Sequence, residues 1–522
     1  MPLKWSYSEY NNGSILDQIK QNRKISDSFI NASIEDIPDI SLFKDIKLAS
    51  GRIIEAVQSK EKIMIFGHDD VDGVTSAYIL FDFLENIGSQ NHFYYIPNRL
   101  LESHGMKDDF VNMLIEEEFD VIITVDGGIS EFEQTKKIMD AGIDVIITDH
   151  HLVQEKIPEA FAVVNPKQAD CDYPFKMLAG VAVTYFLVQQ IALDLNCEID
   201  TNYMFWTAVG TLADKVPLIG VNRIIIKDVL EKWFSFDDLT IETMKPYFVA
   251  PHNFEKRMSI LKFITKILSN GRMPAGENLA LSCLLVSRKE KEVIIKKLIA
   301  EQRDHEYKLR KVSSYLNSSI TRPTLNWFFF KDSENKIEIN LMGFSASLLT
   351  KKFMIPVVVL KERSGVFSGE GRCMEGFDLM EAFTFCREHL IQFGGHKKAA
   401  GFTILPGEIE NFQKKFSIYV NKHKQEIEFS RKISVDAVFS IDELDKLDDY
   451  LQTDYYLLQP FGQGNSNPKF LLKNYHPKRD ADKIKLKKTE NKLESDKVYN
   501  LIVSHEGSSF NLVDHRNINY LL

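Results

Sequence analysis

Three short apolar runs in the first part of the chain end abruptly in acidic and histidine residues. They span residues 62–66, 119–125 and 143–148, and stretches with helical apolar spacing separate them. Residues 92–96 form a further strand-like run. Strands that alternate with helices over residues 61–165 predict a doubly wound α/β domain built on a parallel sheet.

The polar residues that follow these runs are expected to converge, because parallel strands bring their carboxyl ends to one edge of the sheet. A single acidic residue at such a position is more often a turn residue or a helix cap. Crowded carboxylates repel one another unless cations intervene, and mixed carboxylate and imidazole ligands suit manganese, iron or zinc. Three similar strand ends therefore favour a metal site. The residues are His68, Asp69, Asp70, Asp72, Asp126, Asp149, His150 and His151.

The remainder of the chain changes character several times. A helical lead-in occupies residues 1–59, and helical patterns return from about residue 166 to residue 320, with Asp214 near a helix end. A charged stretch, residues 289–314, predicts a long connecting helix with a solvated face. Strand-like runs at residues 325–330, 338–342 and 356–360 indicate a second, smaller α/β domain. The predicted domains are residues 1–225, 226–323, 324–424 and 425–522.

Two basic stretches remain open to two interpretations. Gly394, Gly395 and His396 precede two lysines, so the loop either supplies donors to an anion or is a basic turn between a helix and a strand. The last domain is strand-rich and predicts a small OB-like β-barrel. Its basic run from His476 to Lys488 is either a solvated loop or a contact for a phosphate backbone.

Composition narrows the class of protein. The chain has 522 residues, 44% of them apolar and 26% charged, which is typical of a globular protein with two to four domains. Its net charge of -10 argues mildly against nucleic-acid binding, although local basic patches matter more than the total. No apolar run reaches the roughly 20 residues that span a membrane. Five scattered cysteines predict a reducing, cytoplasmic location.

Together the motifs resemble those of the DHH family of phosphoesterases, and within it the RecJ group of single-strand-specific 5′ exonucleases. The resemblance covers nearly the whole chain. It includes a GGHxxAAG-like stretch that is typical of the DHH-associated domain, and a PFGxGN-like stretch that opens the OB domain of the RecJ group. The matching stretches are residues 68–73, 125–128, 149–151, 165–168, 173–180, 213–214, 394–401 and 460–465.

The resemblance implies a role for each motif residue. One divalent ion, Mn2+ or Mg2+, would be held by His68, Asp70 and Asp126. A second would be held by Asp72, Asp126, His150 and Asp214, with Asp126 bridging the two ions. Asp149 would orient His150, and His151 would contact the scissile phosphate. Further phosphate or DNA contacts would come from Arg272, Arg372, Gly394, Gly395 and His396. Two such ions activate water and stabilise the leaving oxygen in phosphodiester hydrolysis.

The implied function is hydrolysis of single-stranded DNA from the 5′ end in DNA repair and recombination. A helicase and a single-strand-binding protein are the expected partners, with no membrane association and a monomeric state. One alternative is a DHH phosphodiesterase for short RNA or cyclic dinucleotides, but such enzymes generally lack the long spacer and the OB domain. A second is a catalytically silent replisome scaffold, which would have lost its metal ligands. Departures from the family pattern include His68, where many members carry Asp, Asp69, where an aromatic residue is usual, and Cys373, where serine is usual.

Overall fold

The structure is a computed structural model, and it describes residues 4–7, 13–98, 105–272, 278–320, 323, 325–423, 425, 432–487 and 493–518. The chain divides into two compact units. The larger unit comprises residues 8–302 and 436–522, and the smaller unit comprises residues 1–7 and 303–435. The four domain boundaries given above stay a prediction.

The secondary structure is as follows. The strands are β1 (Lys4–Ser6), β2 (Ile63–Phe66), β3 (His92–Tyr95), β4 (Val121–Val125), β5 (Asp144–Thr148), β6 (Ala162–Val164), β7 (Phe328–Lys331), β8 (Val357–Arg363), β9 (Val366–Arg372), β10 (Gln392–His396), β11 (Ala399–Ile404), β12 (Lys432–Ser434), β13 (Ala437–Ser440), β14 (Lys469–Tyr475), β15 (Tyr499–Glu506) and β16 (Ser509–Asn517). The α-helices are α1 (Ile15–Arg23), α2 (Asp27–Asn31), α3 (Ile46–Ser59), α4 (Val71–Asn86), α5 (Asp108–Glu116), α6 (Phe132–Asp140), α7 (Gly180–Leu195), α8 (Asn202–Asp214), α9 (Gly220–Glu231), α10 (Leu239–Met244), α11 (Phe254–Leu268), α12 (Leu279–Leu285), α13 (Arg288–Ser319), α14 (Met342–Phe353), α15 (Leu379–Phe385), α16 (Ile409–Lys422), α17 (Leu444–Thr453) and α18 (Pro477–Asp480). Short 3-10 helices cover Ile34–Asp36, Ile40–Leu42, Trp233–Ser235, Lys245–Tyr247, Ile339–Leu341, Arg387–His389, Pro406–Glu408, Ile441–Glu443 and Tyr455–Leu458.

The central sheet of the larger unit is entirely parallel, in the order β3-β2-β4-β5-β6. Every residue of β2 and β4 is buried, because helices cover both faces, and this explains their continuous apolar runs. Helices α4 and α7 are buried over most of their length and pack against each other. The doubly wound parallel fold expected from the sequence is confirmed.

A second sheet of the larger unit, β13-β14-β15-β16, lies at the end of the chain. Its first pair is parallel and the other two pairs are antiparallel. The predicted OB-like β-rich region is therefore present. The N-terminal lead-in belongs to the same hydrophobic core, because Ile15 and Ile19 of α1 cluster with Phe439 and Phe470.

The smaller unit holds a five-stranded sheet in the order β10-β11-β9-β8-β7, in which only β7 and β8 run parallel. Helices α15 and α16 share one core cluster with strands of this sheet, and α14 contributes to another. Residues 338–342, predicted as a strand, instead form the 3-10 turn Ile339–Leu341 that leads into α14, so that prediction was wrong. A run of five residues is too short for its apolar spacing to separate a strand from a helix start.

Two predicted helix features are present. Helix α8 ends at Asp214, as its spacing indicated, and α13 forms the long charged helix. Within the part of the chain that the structure describes, no helix combines the length and the apolar character needed to cross a membrane.

Candidate metal centre

The strand register brings the acidic loops together. Phe66 of β2 pairs with Thr124 of β4, and Val125 of β4 pairs with Thr148 of β5. The residues that follow these positions therefore leave the sheet at the same edge. The convergence predicted from the three apolar runs is observed.

A close and buried contact in the cluster joins Asp126 and His150. His150 Nε2 lies 3.1 Å from Asp126 Oδ1, and both side chains are almost fully buried. Neither atom has a hydrogen-bond partner among the described residues. His150 Nδ1 lies 2.8 Å from the carbonyl oxygen of Leu178, so this nitrogen carries the proton and Nε2 presents a lone pair. Two lone pairs that face each other in a buried site fit a bound cation.

Three overlapping groups of side chains have the spacing of metal ligands. In each group the donor atoms lie within 4.8 Å of one another. The groups are His68 with Asp70 and Asp126, Asp72 with His150 and Asp214, and Asp126 with His150 and His151. The first group contains the same residues as one ligand set that the family resemblance implies, and the second contains the other set without Asp126, so the bridging role of Asp126 stays a prediction. Asp126 carries φ of 56°, a conformation uncommon for a residue with a side chain, and its two oxygens face different groups.

Asp72 also anchors the start of α7. Its two carboxylate oxygens accept hydrogen bonds from the backbone N–H groups of Gly180 and Val181, each at 2.8 Å. A carboxylate at a helix N-terminus is favoured by the helix dipole. Helix α7 also lies close to Asp126, and glycine is required at position 180 for this contact. A Cβ atom there would lie 2.5 Å from Asp126 Oδ1 and 2.9 Å from Asp126 Cα.

The Asp149 carboxylate makes hydrogen bonds to both His150 and His151. Its Oδ1 accepts hydrogen bonds from the backbone N–H groups of His150 and His151 and lies 2.8 Å from His151 Nδ1. Its Oδ2 accepts from the N–H of Ile129. The His151 side chain is 56% exposed, so its other ring nitrogen is available to a substrate. Asp149 was expected to orient His150, but it reaches only the backbone N–H of that residue and its ring contact is with His151, so its role stays a prediction.

The charges of the cluster disturb one another strongly. Burial and the nearby Asp70 raise the pKa of Asp72 to about 7, and burial together with Asp72 raises the pKa of Asp214 to about 6. Burial and the neighbouring carboxylates raise the pKa of Asp126 well above its usual range. Burial lowers the pKa of His150, which keeps the ring neutral. Such shifts are expected where carboxylates are placed to hold cations.

Asp69, one of the departures from the family pattern, has a partner in the structure. Its buried carboxylate lies 2.8 Å from Nε of Arg272, which also donates to the Asp69 backbone carbonyl at 3.1 Å. Asn278 donates to the same carbonyl at 3.4 Å. Arg272, predicted to contact DNA, is thereby held next to the loop that carries His68 and Asp70.

The other predicted phosphate contacts belong to the smaller unit. Arg372 at the end of β9 donates to Glu370 at 2.8 Å and to the Gly371 carbonyl at 2.7 Å. Gly394, Gly395 and His396 lie in β10, and His396 is exposed. The stretch is a hairpin between β10 and β11, so the alternative of a turn between helix and strand was wrong. The phosphate role of these residues stays a prediction.

A cavity of about 180 Å³ adjoins the cluster on the β2 and β4 side. Apolar atoms form much of its wall, and Asp126 and His151 border it. An apolar recess beside charged groups is typical of a small-molecule or nucleotide site. The main apolar lining residues are Phe66, Pro97, Val125 and Ile129.

The part of the chain that carries most of these side chains matches a known protein family. Residues 62–211 match the family model described as the DHH family, N-terminal domain. Residues 62–211 form a DHH-family domain. This DHH domain contains every predicted ligand except Asp214, which lies three residues beyond the match. The family resemblance inferred from the motifs is confirmed.

Similarity extends beyond the DHH domain. The chain is 29% identical over 468 residues to the single-stranded-DNA-specific exonuclease RecJ of Bacillus subtilis, covering 89% of this chain and 58% of that protein. It is 27% identical over 434 residues to the RecJ exonuclease of Haemophilus influenzae, covering 78% of this chain and 74% of that protein. The chain therefore spans less than two thirds of the Bacillus relative.

Similarity to solved structures covers nearly the whole chain. The structure of RecJ in complex with Mn2+ from Thermus thermophilus matches with a TM-score of 0.75 at 20% identity. The match covers 98% of this chain and 79% of the other. At this identity the likeness establishes the fold, in which the DHH domain is one part.

Several residues that shape the centre were not assigned a role from the sequence. Leu178 fixes the His150 tautomer through its carbonyl oxygen, and Gly180 allows α7 to approach Asp126. Half-buried Lys167 donates to the His150 carbonyl, and burial lowers the pKa of this lysine. The stretches 165–168 and 173–180 were noted for their family match, which was the only signal that they adjoin the site.

Proposed function

We propose that this chain is a metal-dependent exonuclease that hydrolyses single-stranded DNA from its 5′ end. The single-stranded-DNA-specific exonuclease activity for which the RecJ relatives are named supports the substrate, since the similarity to them runs over most of this chain. The acidic cluster supports the chemistry. The proposal includes a place in DNA repair and recombination, a helicase and a single-strand-binding protein as partners, a monomeric state and a cytoplasmic location.

The observation that carries the proposal is the contact between His150 and Asp126. Nε2 of the neutral ring and Oδ1 of the carboxylate are buried, 3.1 Å apart and without hydrogen bonds in the described part of the chain. A proton shared between these two atoms would account for this one contact but not for the other carboxylates around it. The three further carboxylates of Asp70, Asp72 and Asp214 near it favour divalent cations, which suit mixed carboxylate and imidazole ligands.

We assign the ligands as the family resemblance implies. His68, Asp70 and Asp126 hold one divalent ion, and Asp72, Asp126, His150 and Asp214 hold the other, Mn2+ being preferred over Mg2+. Bound divalent ions supply an activated water and neutralise charge on the leaving oxygen of a phosphodiester. Asp149 keeps His151 oriented by its hydrogen bond to Nδ1, so that the exposed Nε2 donates to a phosphate oxygen.

The DNA contacts are assigned by residue type. Arg272 neutralises a phosphate near the DHH domain, and the Asp69 carboxylate holds its Nε atom. In the smaller unit, Arg372, His396 and the N–H groups of Gly394 and Gly395 bind phosphate. The OB-like region contributes positive charge, although Arg479 and Lys483 pair with Asp480 and Lys487 pairs with Glu506. Lys488, the last residue of the predicted basic run, lies outside the described residues.

Digestion of end-labelled oligonucleotides tests the proposal. Single-stranded DNA with a 5′ or a 3′ label, the matching duplex and a single-stranded RNA are incubated with Mn2+, Mg2+ or EDTA. We expect immediate release of the 5′ label, gradual shortening of the 3′-labelled strand and no reaction in EDTA. Release of the 3′ label first would contradict the polarity. Cleavage of the RNA alone would replace this proposal with the phosphodiesterase alternative.

A further inference from the structure

The segment that follows Asp214 links the proposed metal centre to the C-terminal sheet region. Helix α8 ends at Asp214, Lys215 adopts φ of 62°, and Pro217 and Leu218 lead into α9. Only two residues separate Asp214 from Pro217. This short separation gives a displacement of Pro217 a direct covalent route to the Asp214 backbone.

A turn from the far end of the chain contacts this segment directly. We call residues 460–465, which match the PFGxGN-like stretch, the brace turn. The backbone N–H of Leu218 donates to the carbonyl oxygen of Gln463 at 2.7 Å. A Cβ atom at Gly462 would lie 2.5 Å from Leu218 Cδ1, and one at Gly464 would lie 2.9 Å from Pro217 Cβ. Glycine at both positions is what allows the two backbones to approach.

The brace turn is itself held firmly. The buried Asn465 amide donates to the carbonyl oxygens of Leu458 and Pro460 at 2.8 and 2.9 Å. Arg223 of α9, which is 1% exposed, donates through Nη2 to the carbonyl oxygens of Leu457 and Gln459, both at 2.8 Å. Buried hydrogen bonds of this kind give the turn a single position relative to α9.

The braced segment also reaches the support of His150. The Asn222 side chain is fully buried, and its Nδ2 donates to Pro217 O at 3.1 Å and to Met177 O at 2.6 Å. Met177 precedes Leu178, whose carbonyl oxygen fixes the His150 tautomer. The supports of Asp214 and His150 are thus joined through one amide.

We propose that the brace turn positions Asp214 for metal binding, with Gly462 and Gly464 as its positioning residues. This inference rests on the proposed metal centre and adds to it. The C-terminal region then has a role in the DHH centre that is separate from any contact with DNA. Loss of a residue that supports a metal ligand typically lowers metal affinity about 10–100-fold.

The test compares two glycines with the same backbone requirement. Gly464 has φ of +73° and contacts Pro217, whereas Gly507, in a turn of the same C-terminal region, has φ of +64° with nothing within 4 Å of an added Cβ. Gly464→Ala and Gly507→Ala therefore introduce similar backbone strain. Mn2+ binding to the full chain is measured by the loss of the free-ion electron paramagnetic resonance signal. We expect Gly464→Ala to weaken Mn2+ binding about tenfold and Gly507→Ala to leave it unchanged.

A double-mutant cycle separates positioning of Asp214 from general destabilisation. If the brace turn acts through Asp214, Gly464→Ala has no further effect on Mn2+ affinity in an Asp214→Ala background. Gly462→Ala provides a second variant, because Gly462 lacks a positive φ and its added Cβ meets the movable end of Leu218. It is expected to weaken Mn2+ binding in the same direction, and it carries the test if Gly464→Ala does not fold.

The outcomes distinguish the two proposals. Unchanged Mn2+ affinity in folded Gly462→Ala or Gly464→Ala would overturn the brace, as would an additive loss in the Asp214→Ala background. Wild-type protein that binds Mn2+ but does not cleave single-stranded DNA would overturn the proposed activity and leave the brace intact. Wild-type protein that binds no Mn2+ would overturn both.

Discussion

At the scale of single residues, Asp126 is a buried carboxylate whose surroundings oppose its ionisation. Its backbone adopts φ of 56°, its carboxylate is buried, and burial with Asp72 raises its pKa. A group whose pKa is raised in the folded state favours folding when it is protonated and opposes folding when it is charged. When no cation is bound, the charged form of Asp126 therefore destabilises the folded protein, although the same carboxylate is a proposed metal ligand.

Asp126→Asn is expected to change stability in opposite directions with and without metal. Asparagine tolerates the same positive φ and removes the buried charge, so the variant melts at a higher temperature than wild type in EDTA. In Mn2+ the order reverses, because binding at one hundred times the Kd stabilises the wild type by about 2.7 kcal/mol. DNA hydrolysis by the variant falls at least about 100-fold. Differential scanning calorimetry and the digestion assay measure these effects.

The matched control is Asp140→Asn at an exposed position on α6. It should behave as wild type in both media. A lower melting temperature of Asp126→Asn in EDTA, or unchanged hydrolysis in saturating Mn2+, would contradict the charge-crowding account.

At the scale of elements, the centre depends on two helices that begin at the same sheet edge. Helix α4 begins after Asp70, whose Oδ1 accepts from the Gly73 N–H, and α7 begins at the residues bound by Asp72. The apolar runs predicted the strands and their polar ends, because parallel register follows from burial on both faces. The contact of α7 with Asp126 could not be predicted, because it depends on a long-range approach that one glycine permits.

Gly180→Ala is expected to disturb this approach. The added Cβ would overlap Asp126, so α7 must shift, at a cost of about 1–3 kcal/mol and with weaker Mn2+ binding. Gly51→Ala on α3 is the matched control, since its added Cβ has nothing within 4 Å and a helical glycine costs about 0.5–1 kcal/mol relative to alanine. Urea denaturation should therefore show opposite signs for the two variants. Equal stabilisation by both would refute the close-approach argument.

At the scale of the molecule, the larger unit joins distant parts of the chain in one structure. Arg223 donates to the carbonyl oxygen of Phe29 near the N-terminus and to those of Leu457 and Gln459 near the C-terminus, each at 2.8 Å. Burial lowers the pKa of this arginine to about 10. The sequence predicted a lead-in and an OB-like region, but not their shared core, because no local pattern encodes a contact between residues hundreds of positions apart.

Arg223→Met is expected to destabilise the larger unit by about 3 kcal/mol, because it removes the donor of three carbonyl oxygens, one in a buried and two in partly buried hydrogen bonds. Lys227→Met is the control one turn later on α9. Lys227 donates to the carbonyl oxygens of Ile30 and Ala32, at 3.3 and 3.1 Å, lies 3.8 Å from Glu231 Oε1, and remains partly exposed. We expect its loss to cost less than about 1 kcal/mol. Denaturation monitored by fluorescence distinguishes the two variants. Equal losses in the free energy of unfolding would contradict the larger contribution expected of Arg223.

The central claim is that the sheet edge of the DHH domain is a two-ion centre. Anomalous X-ray diffraction from crystals of the full chain soaked in Mn2+ tests it most directly. We predict two peaks that share Asp126, one also contacting His68 and Asp70 and the other also contacting Asp72, His150 and Asp214. A single Mn2+ peak at this cluster, or peaks only elsewhere in the chain, would contradict the account.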